Sequence, residues 1–401
     1  MAHELDATPS AGRARIAFFG MRNAGKSSVV NAVTGQAVSI VSPVPGTTTD
    51  PVRKSMELLP LGPALIVDTP GLDDEGEVGA QRVASALVEL ERADAAVLVV
   101  DASAGLRAGD RELLKRIDAL GIPSLTVYNK CDLARPALSQ GEIAVSAKTG
   151  ENIAALRDAL SSLVRAPEGG RRLVGDLLLP GDAVVLVAPI DEAAPKGRLI
   201  LPQVQTIRDV LDAGAYCTVV QPGALRKALE GMPRPRLVVT DSQAFGAVAG
   251  IVAQDVPLTS FSILFARFKG VLETAARGAL ALDRLRDGDC VLISEGCTHR
   301  RQCGDIATVK LPAWIRRHTG KALRFAFTSG DAFAQEVSPY ALVIHCGGCM
   351  LGDREVLRRL RVARRDGVPF TNYGVAIAHM HGILRRSLSP FPELAQLCAT
   401  P

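Results

Sequence analysis

The feature that most constrains the fold of this chain is a phosphate-binding motif near its amino terminus. Residues 20–27, GMRNAGKS, fit the pattern G-x-x-x-x-G-K-[ST]. They follow the apolar segment ARIAFF and precede a helical pattern, which is the strand–loop–helix context that the motif requires. Lys26 would reach the β- and γ-phosphates, and the Ser27 hydroxyl would bind Mg²⁺. The predicted phosphate-binding residues are Asn23, Ala24, Gly25, Lys26, Ser27 and Ser28.

A second motif, DTPG at residues 68–71, directly follows the apolar segment ALIV. In a P-loop domain, Asp68 would hold Mg²⁺ through water and the N–H of Gly71 would contact the γ-phosphate. Taken alone, the tetrapeptide could be a simple turn, because Pro-Gly is a common turn sequence.

A third motif, NKCD at residues 129–132, follows the apolar segment SLTVY. The carboxylate of Asp132 would accept hydrogen bonds from both N1–H and N2–H₂ of guanine, a pair of donors that adenine lacks. Each motif alone could be a polar loop, but together and in this order the three predict a GTP-binding domain. The predicted base-binding residues are Asn129, Lys130, Asp132, Ser146, Ala147 and Lys148.

The composition is that of an ordinary globular protein, with 47% hydrophobic and 22% charged residues. The net charge of +4 gives no strong indication of a nucleic acid or an anionic membrane as partner. No apolar run approaches the ~20 residues that span a bilayer, and the amino terminus lacks the apolar core of a signal peptide. We therefore expect a cytoplasmic protein with no membrane and no nucleic-acid partner, whose cysteines are thiols or metal ligands.

The chain divides into segments of different character. Apolar segments alternate with helical patterns in the first part, which is typical of a doubly wound α/β sheet. A stretch rich in Gly, Pro and charge at 166–172 is typical of a linker. The middle part carries no recognisable chemical motif, and the last part repeats apolar segments that each lead into a polar loop, which predicts a smaller parallel α/β domain. The predicted domains are a GTPase domain at 1–168, an interface domain at 173–265 and a second α/β domain at 266–401.

The last domain carries a second candidate site, C-T-H at 297–299 and H-C-G-G-C at 345–349. Each motif follows an apolar segment, and parallel strands place such loops at one edge of a sheet. Three cysteines suit a [4Fe–4S] cluster whose remaining position is open to a weaker ligand, either His299 or His345. A structural zinc site and a redox dithiol of Cys346 and Cys349 are the alternatives.

Other polar residues of the last domain have structural interpretations. We expect Cys290 to lie in the core, and His379 and His381 to be structural or to support the metal ligands from behind. Asn372 and Ser329 share the same predicted sheet edge. A helix with inward-facing Leu357 and Leu360 should expose a solvated face formed by Arg358, Arg359, Arg361, Arg364 and Arg365.

The amino-terminal motifs resemble the TrmE–Era branch of the translation-factor-class GTPases. The segment GTTTD is similar to the first switch of that branch, which implies that Thr48 binds Mg²⁺. Asn23 matches the asparagine that helps hold K⁺ in potassium-stimulated members, where the cation supplies charge that an arginine finger supplies elsewhere. Leu72 stands where a glutamine would orient water, so we expect slow hydrolysis. We identify no catalytic base, because Glu75 and Glu77 fit solvated loop positions better.

The arrangement of the whole chain resembles the HydF family of [FeFe]-hydrogenase maturation GTPases, because the G motifs are joined to C-x-H and H-C-x-x-C. The resemblance implies that Cys297, Cys346 and Cys349 bind a [4Fe–4S] cluster and that residues 173–265 mediate homodimerisation. It also implies a scaffold or carrier that receives a transient [2Fe] precursor from two radical-SAM maturases and delivers it to apo-[FeFe]-hydrogenase. The implied ligands are GTP or GDP, Mg²⁺, K⁺ and the cluster.

Two other functions remain open from the residues alone. The first is an RNA- or ribosome-associated GTPase with a structural zinc site, although the chain shows no clear KH-type loop or strongly basic appendage. The second is a GTP-regulated redox enzyme that uses Cys346 and Cys349 as a dithiol.

Overall fold

The computed structural model describes residues 13–35, 51–71, 76–164, 171–190, 199–296, 305–330 and 332–397. The chain divides into two compact units, residues 1–170 and 171–401. Several residues of the sequence predictions lie outside the described residues, namely Thr48, Leu72, Glu75, Cys297 and His299, and the side chain of Glu77 does so too.

The first unit is built on a six-stranded sheet with the order β2-β3-β1-β4-β5-β6. β2 pairs with β3 in the antiparallel direction, and the other pairings are parallel. Its strands are β1 Ala14–Phe19, β2 Val52–Leu58, β3 Gly62–Asp68, β4 Ala95–Asp101, β5 Ser124–Asn129 and β6 Glu142–Ala144. Its helices are α1 Lys26–Thr34, α2 Gly76–Arg92, α3 Ala108–Ala119 and α4 Ile153–Leu163.

The central strands are apolar on both sides because helices cover both faces of this sheet. On β1, Ile16 and Phe18 belong to one buried apolar cluster, and Ala17 and Phe19 belong to another. This alternation is the period-two pattern of a strand between two layers. The parallel order places the loops after β1, β3, β4 and β5 at one edge of the sheet, where α/β proteins bind ligands.

The second unit contains two four-stranded parallel sheets. The first has the order β10-β9-β7-β8, and the second has the order β12-β11-β13-β14. The first sheet and its helices are β7 Ala183–Val187, α5 Leu201–Asp212, β8 Tyr216–Val220, α6 Leu225–Glu230, β9 Leu237–Thr240, α7 Phe245–Ala249, β10 Leu258–Ser260 and α8 Phe261–Phe268. The second sheet and its helices are α9 Leu272–Ala279, β11 Cys290–Ser294, α10 Leu311–Thr319, β12 Arg324–Thr328, β13 Leu342–His345, α11 Asp353–Arg365, β14 Phe370–Asn372, α12 Tyr373–Met380, α13 Leu384–Ser387 and α14 Pro392–Leu397.

The predicted fold class is confirmed, with a P-loop domain followed by mixed and parallel α/β structure. The buried apolar residues of both sheets in the second unit form one continuous core, from Leu173 to Phe391. The predicted boundary near residue 265 therefore crosses a shared core and stays a prediction. None of the helices formed by the described residues combines the length and apolar character needed to cross a bilayer.

Two sequence predictions about side chains in the second unit are wrong. Arg358 and Arg359 are only 3% and 0% exposed and do not belong to the solvated face of α11. They are buried because Glu355, one turn earlier on the same helix, accepts hydrogen bonds from both. Arg361 and two further arginines of the helix are exposed as predicted. Cys290 is half-buried rather than core, because it is the first residue of β11.

Candidate functional site

The P-loop connects β1 to α1 and depends on backbone conformations that favour glycine. Gly25 has a φ of +83° and precedes the first residue of α1. A Cβ added at Gly25 would lie 2.3 Å from Nδ2 of Asn129, so only glycine fits here without displacing that side chain. Asn23 also adopts a positive φ, of 64°, and its side chain is exposed. The loop therefore has the close, left-handed turns from which backbone N–H groups can surround phosphates.

Asn129, the last residue of β5, joins the phosphate loop to the predicted base-binding loop. Its side chain is 3% exposed. Nδ2 donates to the carbonyl of Ala24 at 3.0 Å, and Oδ1 accepts from the N–H of Ala147 at 3.0 Å. Asp132 and Lys148 are exposed on the same two loops. The structure thus brings the predicted phosphate- and base-binding segments together around one buried amide.

Ser27 and Asp68, two of the residues predicted to hold Mg²⁺, lie together beside Lys26, which is predicted to contact the phosphates. The Ser27 hydroxyl donates to Oδ2 of Asp68 at 2.5 Å, and Lys26 Nζ lies 3.9 Å from Oδ1. Burial raises the pKa of Asp68, and Lys26 and Ser27 partly offset this effect. Oδ1 of Asp68 is buried and has no hydrogen-bond partner within the described residues. A hydroxyl and a carboxylate with an unsatisfied oxygen are ligands that suit Mg²⁺.

Asp101, at the end of β4, is a residue of this site that the sequence analysis missed. Lys130 donates to Oδ2 of Asp101 at 2.5 Å and to the carbonyl of Asn23 at 2.8 Å. Burial alone would raise the pKa of Asp101, but hydrogen bonds from Lys130 and Ser103 lower it to about 2. The sequence pattern could have predicted this residue, since Asp101 directly follows the apolar run AAVLVV. Polar residues at the carboxyl ends of parallel strands lie where α/β proteins bind ligands.

The H-C-G-G-C segment forms a tight turn after β13 in the second unit. The N–H of Cys346 donates to the carbonyl of Ser294 at 2.9 Å, which continues the pairing of β13 with β11. The sulfur of Cys346 accepts from the N–H of Gly296 at 3.0 Å and of Gly348 at 3.4 Å. Gly348 has a φ of +66°, which allows the turn. Two N–H groups aimed at one sulfur stabilise a thiolate that binds metal.

Both thiols of this turn are hard to ionise without a bound cation. Burial raises the pKa of Cys346 despite its two N–H donors. Burial, together with the nearby Cys346, raises the pKa of Cys349 to about 11. At neutral pH both groups are therefore protonated thiols, and a bound metal would displace their protons. Neither thiol thus has the lowered pKa that a redox-active dithiol needs.

His345 lies beside the two cysteines but has both ring nitrogens engaged. It is 1% exposed. Nδ1 lies 2.6 Å from the carbonyl of Cys346, and Nη1 of Arg359 lies 3.1 Å from Nε2. Because arginine only donates, Nε2 accepts and Nδ1 carries the proton. Burial and Arg359 lower the pKa of His345 to about 3, so the ring is neutral.

Arg359 connects His345 to the end of β11 and was not predicted as part of the site. It is fully buried and donates to the Ser294 hydroxyl at 3.2 Å and to the carbonyl of Glu295 at 3.4 Å. Glu355 accepts from it at 2.7 Å. One planar guanidinium group thus contacts both the end of β11 and His345, the last residue of β13.

The other predicted polar residues of this edge have structural contacts. Asn372 is 2% exposed; Oδ1 accepts from the N–H of Val375 and caps α12, and Nδ2 donates to the carbonyl of Ser262. His379 pairs with Asp283, and His381 is exposed. Of the predicted cysteine ligands, the described residues contain Cys346 and Cys349.

Three family models match the chain. Residues 15–130 match a model described as a 50S ribosome-binding GTPase. Residues 173–270 match the hydrogen maturase F dimerization domain, and residues 273–390 match the hydrogen maturase F tetramerization domain.

Curated relatives and solved structures each match part of the chain. The tRNA modification GTPase MnmE of Nitrosomonas europaea is 38% identical over 153 residues, which cover 36% of this chain and 34% of that protein. MnmE of Dechloromonas aromatica is 38% identical over 151 residues, which cover 35% of this chain and 33% of that protein. The match thus spans about a third of the length of these relatives. A crystal structure of a point variant of Aquifex aeolicus Era bound to GDP·AlF₄⁻ is 23% identical, with a TM-score of 0.36, over 52% of this chain and 92% of that one.

Proposed function

The chain belongs to the hydrogen maturase F family, and we propose from this premise that it is a GTPase that serves in [FeFe]-hydrogenase maturation. In this proposal the chain hydrolyses GTP, holds a [4Fe–4S] cluster and carries a diiron precursor to apo-[FeFe]-hydrogenase. The observation that carries it is the turn at Cys346 and Cys349, where two buried thiols and two N–H groups aimed at one sulfur lie at a strand end.

In the nucleotide site, Lys26 would neutralise the β- and γ-phosphates while Ser27 and Asp68 hold Mg²⁺, with Thr48 as a further ligand. Asp132 would select guanine, and the exposed Asn23 side chain would help to bind K⁺ near the phosphates. Because Leu72 has no polar group to orient water, hydrolysis would be slow and would depend on the cation or on a partner. Nucleotide state would then serve as a switch for the cluster end of the chain.

In the cysteine site, Cys297, Cys346 and Cys349 would supply three thiolates to the cluster. Gly296, which precedes Cys297 in the chain, already contacts the Cys346 sulfur. We propose that His345 is not the fourth ligand, because Arg359 and the Cys346 carbonyl engage both of its nitrogens. His299 or an exchangeable ligand then remains for that position. When bound, the cluster would offer an iron with an open position on which cargo can dock.

The oligomeric state follows from the same family. The chain forms an oligomer, since it contains both a dimerization and a tetramerization domain. We propose a homodimer formed along β8, the edge strand that exposes Tyr216 and Val219 at 45% and 42%. An apolar, unpaired edge strand is a template for pairing with another chain. Two radical-SAM maturases and apo-hydrogenase would be the transient partners.

The ribosome-associated alternative is not favoured. It requires an RNA-binding appendage beside the GTPase domain, whereas the two hydrogen maturase models account for residues 173–270 and 273–390.

Anaerobic iron–sulfur reconstitution tests the proposal. We expect visible absorption and an EPR signal typical of a [4Fe–4S] cluster, both lost in Cys346→Ser and in Cys349→Ser, with GTP hydrolysis retained. Cys290→Ser is the matched control, because Cys290 begins a strand of the same sheet, at the opposite edge from the turn. A colourless chain that binds only zinc, or equal cluster loss in Cys290→Ser, would contradict the proposal.

A further inference from the structure

Three ligand-bearing side chains converge away from the cysteine turn. His318 Nε2 lies 2.8 Å from Oδ1 of Asp283, and His379 Nε2 lies 2.9 Å from Oδ2 of the same carboxylate. The two imidazole rings are 5.5 Å apart, edge to face. One ligand atom from each residue lies within 4.8 Å of the others. We propose that Asp283, His318 and His379 bind a divalent first-row transition-metal ion of the zinc type.

The backbone holds these residues in place independently of any contact among them. Asp283 belongs to the short 3₁₀ segment Leu280–Arg284, in which Leu282 is fully buried. His318 lies in the last turn of α10, one turn after the fully buried Ile315, and His379 lies in the last turn of α12, after the fully buried Ala378. Three elements anchored in one core thus direct their polar ends to one point, which is the rigid support that a metal site needs.

The donor set and spacing match zinc chemistry. Two imidazoles and a carboxylate are borderline ligands that suit Zn²⁺ and other late divalent ions. At metal–ligand distances of about 2.0–2.2 Å, tetrahedral ligand atoms lie roughly 3.3–3.5 Å apart. The present distances of 2.8 and 2.9 Å require an opening of about half an ångström, which small χ rotations supply.

The protons of the present contacts also allow metal binding. Because a carboxylate only accepts, each Nε2 now donates its N–H to Asp283. In a neutral ring this is the single proton, so a metal ion at Nε2 requires the other tautomer, in which the proton moves by exchange with water to Nδ1.

The site is accessible and has room for a further ligand. The side chain of Asp283 is 52% exposed, whereas those of His318 and His379 are 24% and 15% exposed. Three protein ligands on a partly open surface leave a coordination position for water or for a ligand from solution, as in catalytic rather than structural zinc sites. The site uses none of the cysteines assigned to the cluster.

The test uses the 401-residue chain without a histidine tag and with Cys297, Cys346 and Cys349 replaced by serine. We expect this chain to bind one Zn²⁺ ion at the site. In the Asp283→Asn and His379→Gln derivatives, the Zn²⁺ affinity of that site should fall at least about tenfold, so that one ion fewer is bound at the same Zn²⁺ concentration. His381→Gln is the matched control, because His381 is exposed two residues further along the chain. Co²⁺ in the site should give visible d–d bands without the near-ultraviolet bands of sulfur ligation.

A second measurement keeps the test independent of the triple substitution. In the chain with all cysteines and a reconstituted cluster, Zn²⁺ should raise the midpoint of thermal unfolding, and this shift should vanish in His379→Gln but persist in His381→Gln. Equal Zn²⁺ binding and an equal thermal shift in the parent and in Asp283→Asn would overturn the proposal. The three side chains would then form only hydrogen bonds between one aspartate and two histidines. Failure of the cluster itself to form would instead count against the proposed function.

Discussion

Arg359 is the residue on which the geometry of the cysteine edge depends most. It is fully buried and contacts β11, His345 and Glu355 at once. We predict that Arg359→Met lowers the free energy of unfolding of the second unit by about 3 kcal/mol, because it removes the donor to the buried Nε2 of His345 and one of the two arginines that pair with the buried Glu355. Trp314, the only tryptophan of the chain, lies in this unit and reports its urea unfolding.

The matched control for this prediction is Arg361→Met on the same helix, because Arg361 is exposed. It should change the unfolding free energy by less than about 0.5 kcal/mol. GTP hydrolysis should be unchanged in both variants, since the nucleotide site lies in the other unit. Equal stability of the two variants would show that the buried network does not hold this edge together.

The pair of Asp101 and Lys130 makes the stability of the first unit depend on pH. Its hydrogen bonds hold the pKa of Asp101 at about 2, below the ordinary value of 3.8. Because the folded-state pKa is the lower one, the ionised carboxylate stabilises the fold above pH 4, and this contribution is lost as the pH falls from 4 towards 2. We predict that Asp101→Asn lowers the free energy of unfolding of the first unit by about 2 kcal/mol at pH 7 and by roughly half of that at pH 3.

Urea unfolding followed by circular dichroism at the two pH values checks this prediction. Asp118→Asn, an exposed carboxylate on α3, is the control and should show little effect at either pH. A cost that is the same at pH 3 and pH 7 would mean that the negative charge of Asp101 is not what stabilises the fold.

At the scale of elements, the turn from β1 into α1 decides whether a nucleotide can bind. A Cβ at Gly25 would lie 2.3 Å from the Asn129 amide, in addition to the strain of its positive φ. We predict that Gly25→Ala weakens GDP binding more than about tenfold, because it displaces the amide that joins the two nucleotide-binding loops. Fluorescence titration with a labelled GDP measures this.

Gly105→Ala is the control that separates the backbone strain of a positive φ from the displacement of the Asn129 side chain. Gly105 also has a positive φ, of +66°, but nothing lies within 4 Å of its added Cβ. The Gly105→Ala variant should therefore have a free energy of unfolding lower by about 1 kcal/mol and should keep most of its affinity for GDP. If both variants bound GDP equally well, the contact between Gly25 and Asn129 would not be essential to the site.

The edge strand β8 is the element on which the proposed dimer depends. Lysine on an edge strand opposes pairing with another chain. We predict that Val219→Lys combined with Tyr216→Lys shifts the chain towards monomers in sedimentation velocity. Leu133→Lys is the control, since Leu133 is 71% exposed in the first unit. An unchanged sedimentation coefficient would place the dimer interface elsewhere.

The elements of this chain were more predictable from sequence than its buried polar contacts. The GKS, DTPG and NKCD motifs each follow a strand because backbone geometry ties phosphate loops to strand ends, and local sequence carries that signal. The burial of Arg358 and Arg359 was predicted wrongly because charge patterning on a helix does not show which face the sheet covers. The convergence of Asp283, His318 and His379 depends on packing between distant segments, which one sequence does not reveal.

At the scale of the whole molecule, the chain separates two chemistries into two units. The first unit contains Lys26, Ser27 and Asp68 for the nucleotide, and the second contains the turn with Cys346 and Cys349. Variants of the cysteines should therefore leave GTP hydrolysis nearly intact. We propose that nucleotide state controls the binding or release of partners by the chain.

The most direct test of this account is hydrogen evolution by apo-[FeFe]-hydrogenase after anaerobic incubation with the chain loaded by its two maturases and GTP. We predict activity with the wild-type chain and with Cys290→Ser, and no activity with Cys349→Ser. Activation by Cys349→Ser at the wild-type level, or no activation by the loaded wild-type chain, would contradict the claim that this protein carries its cargo at the cysteine turn.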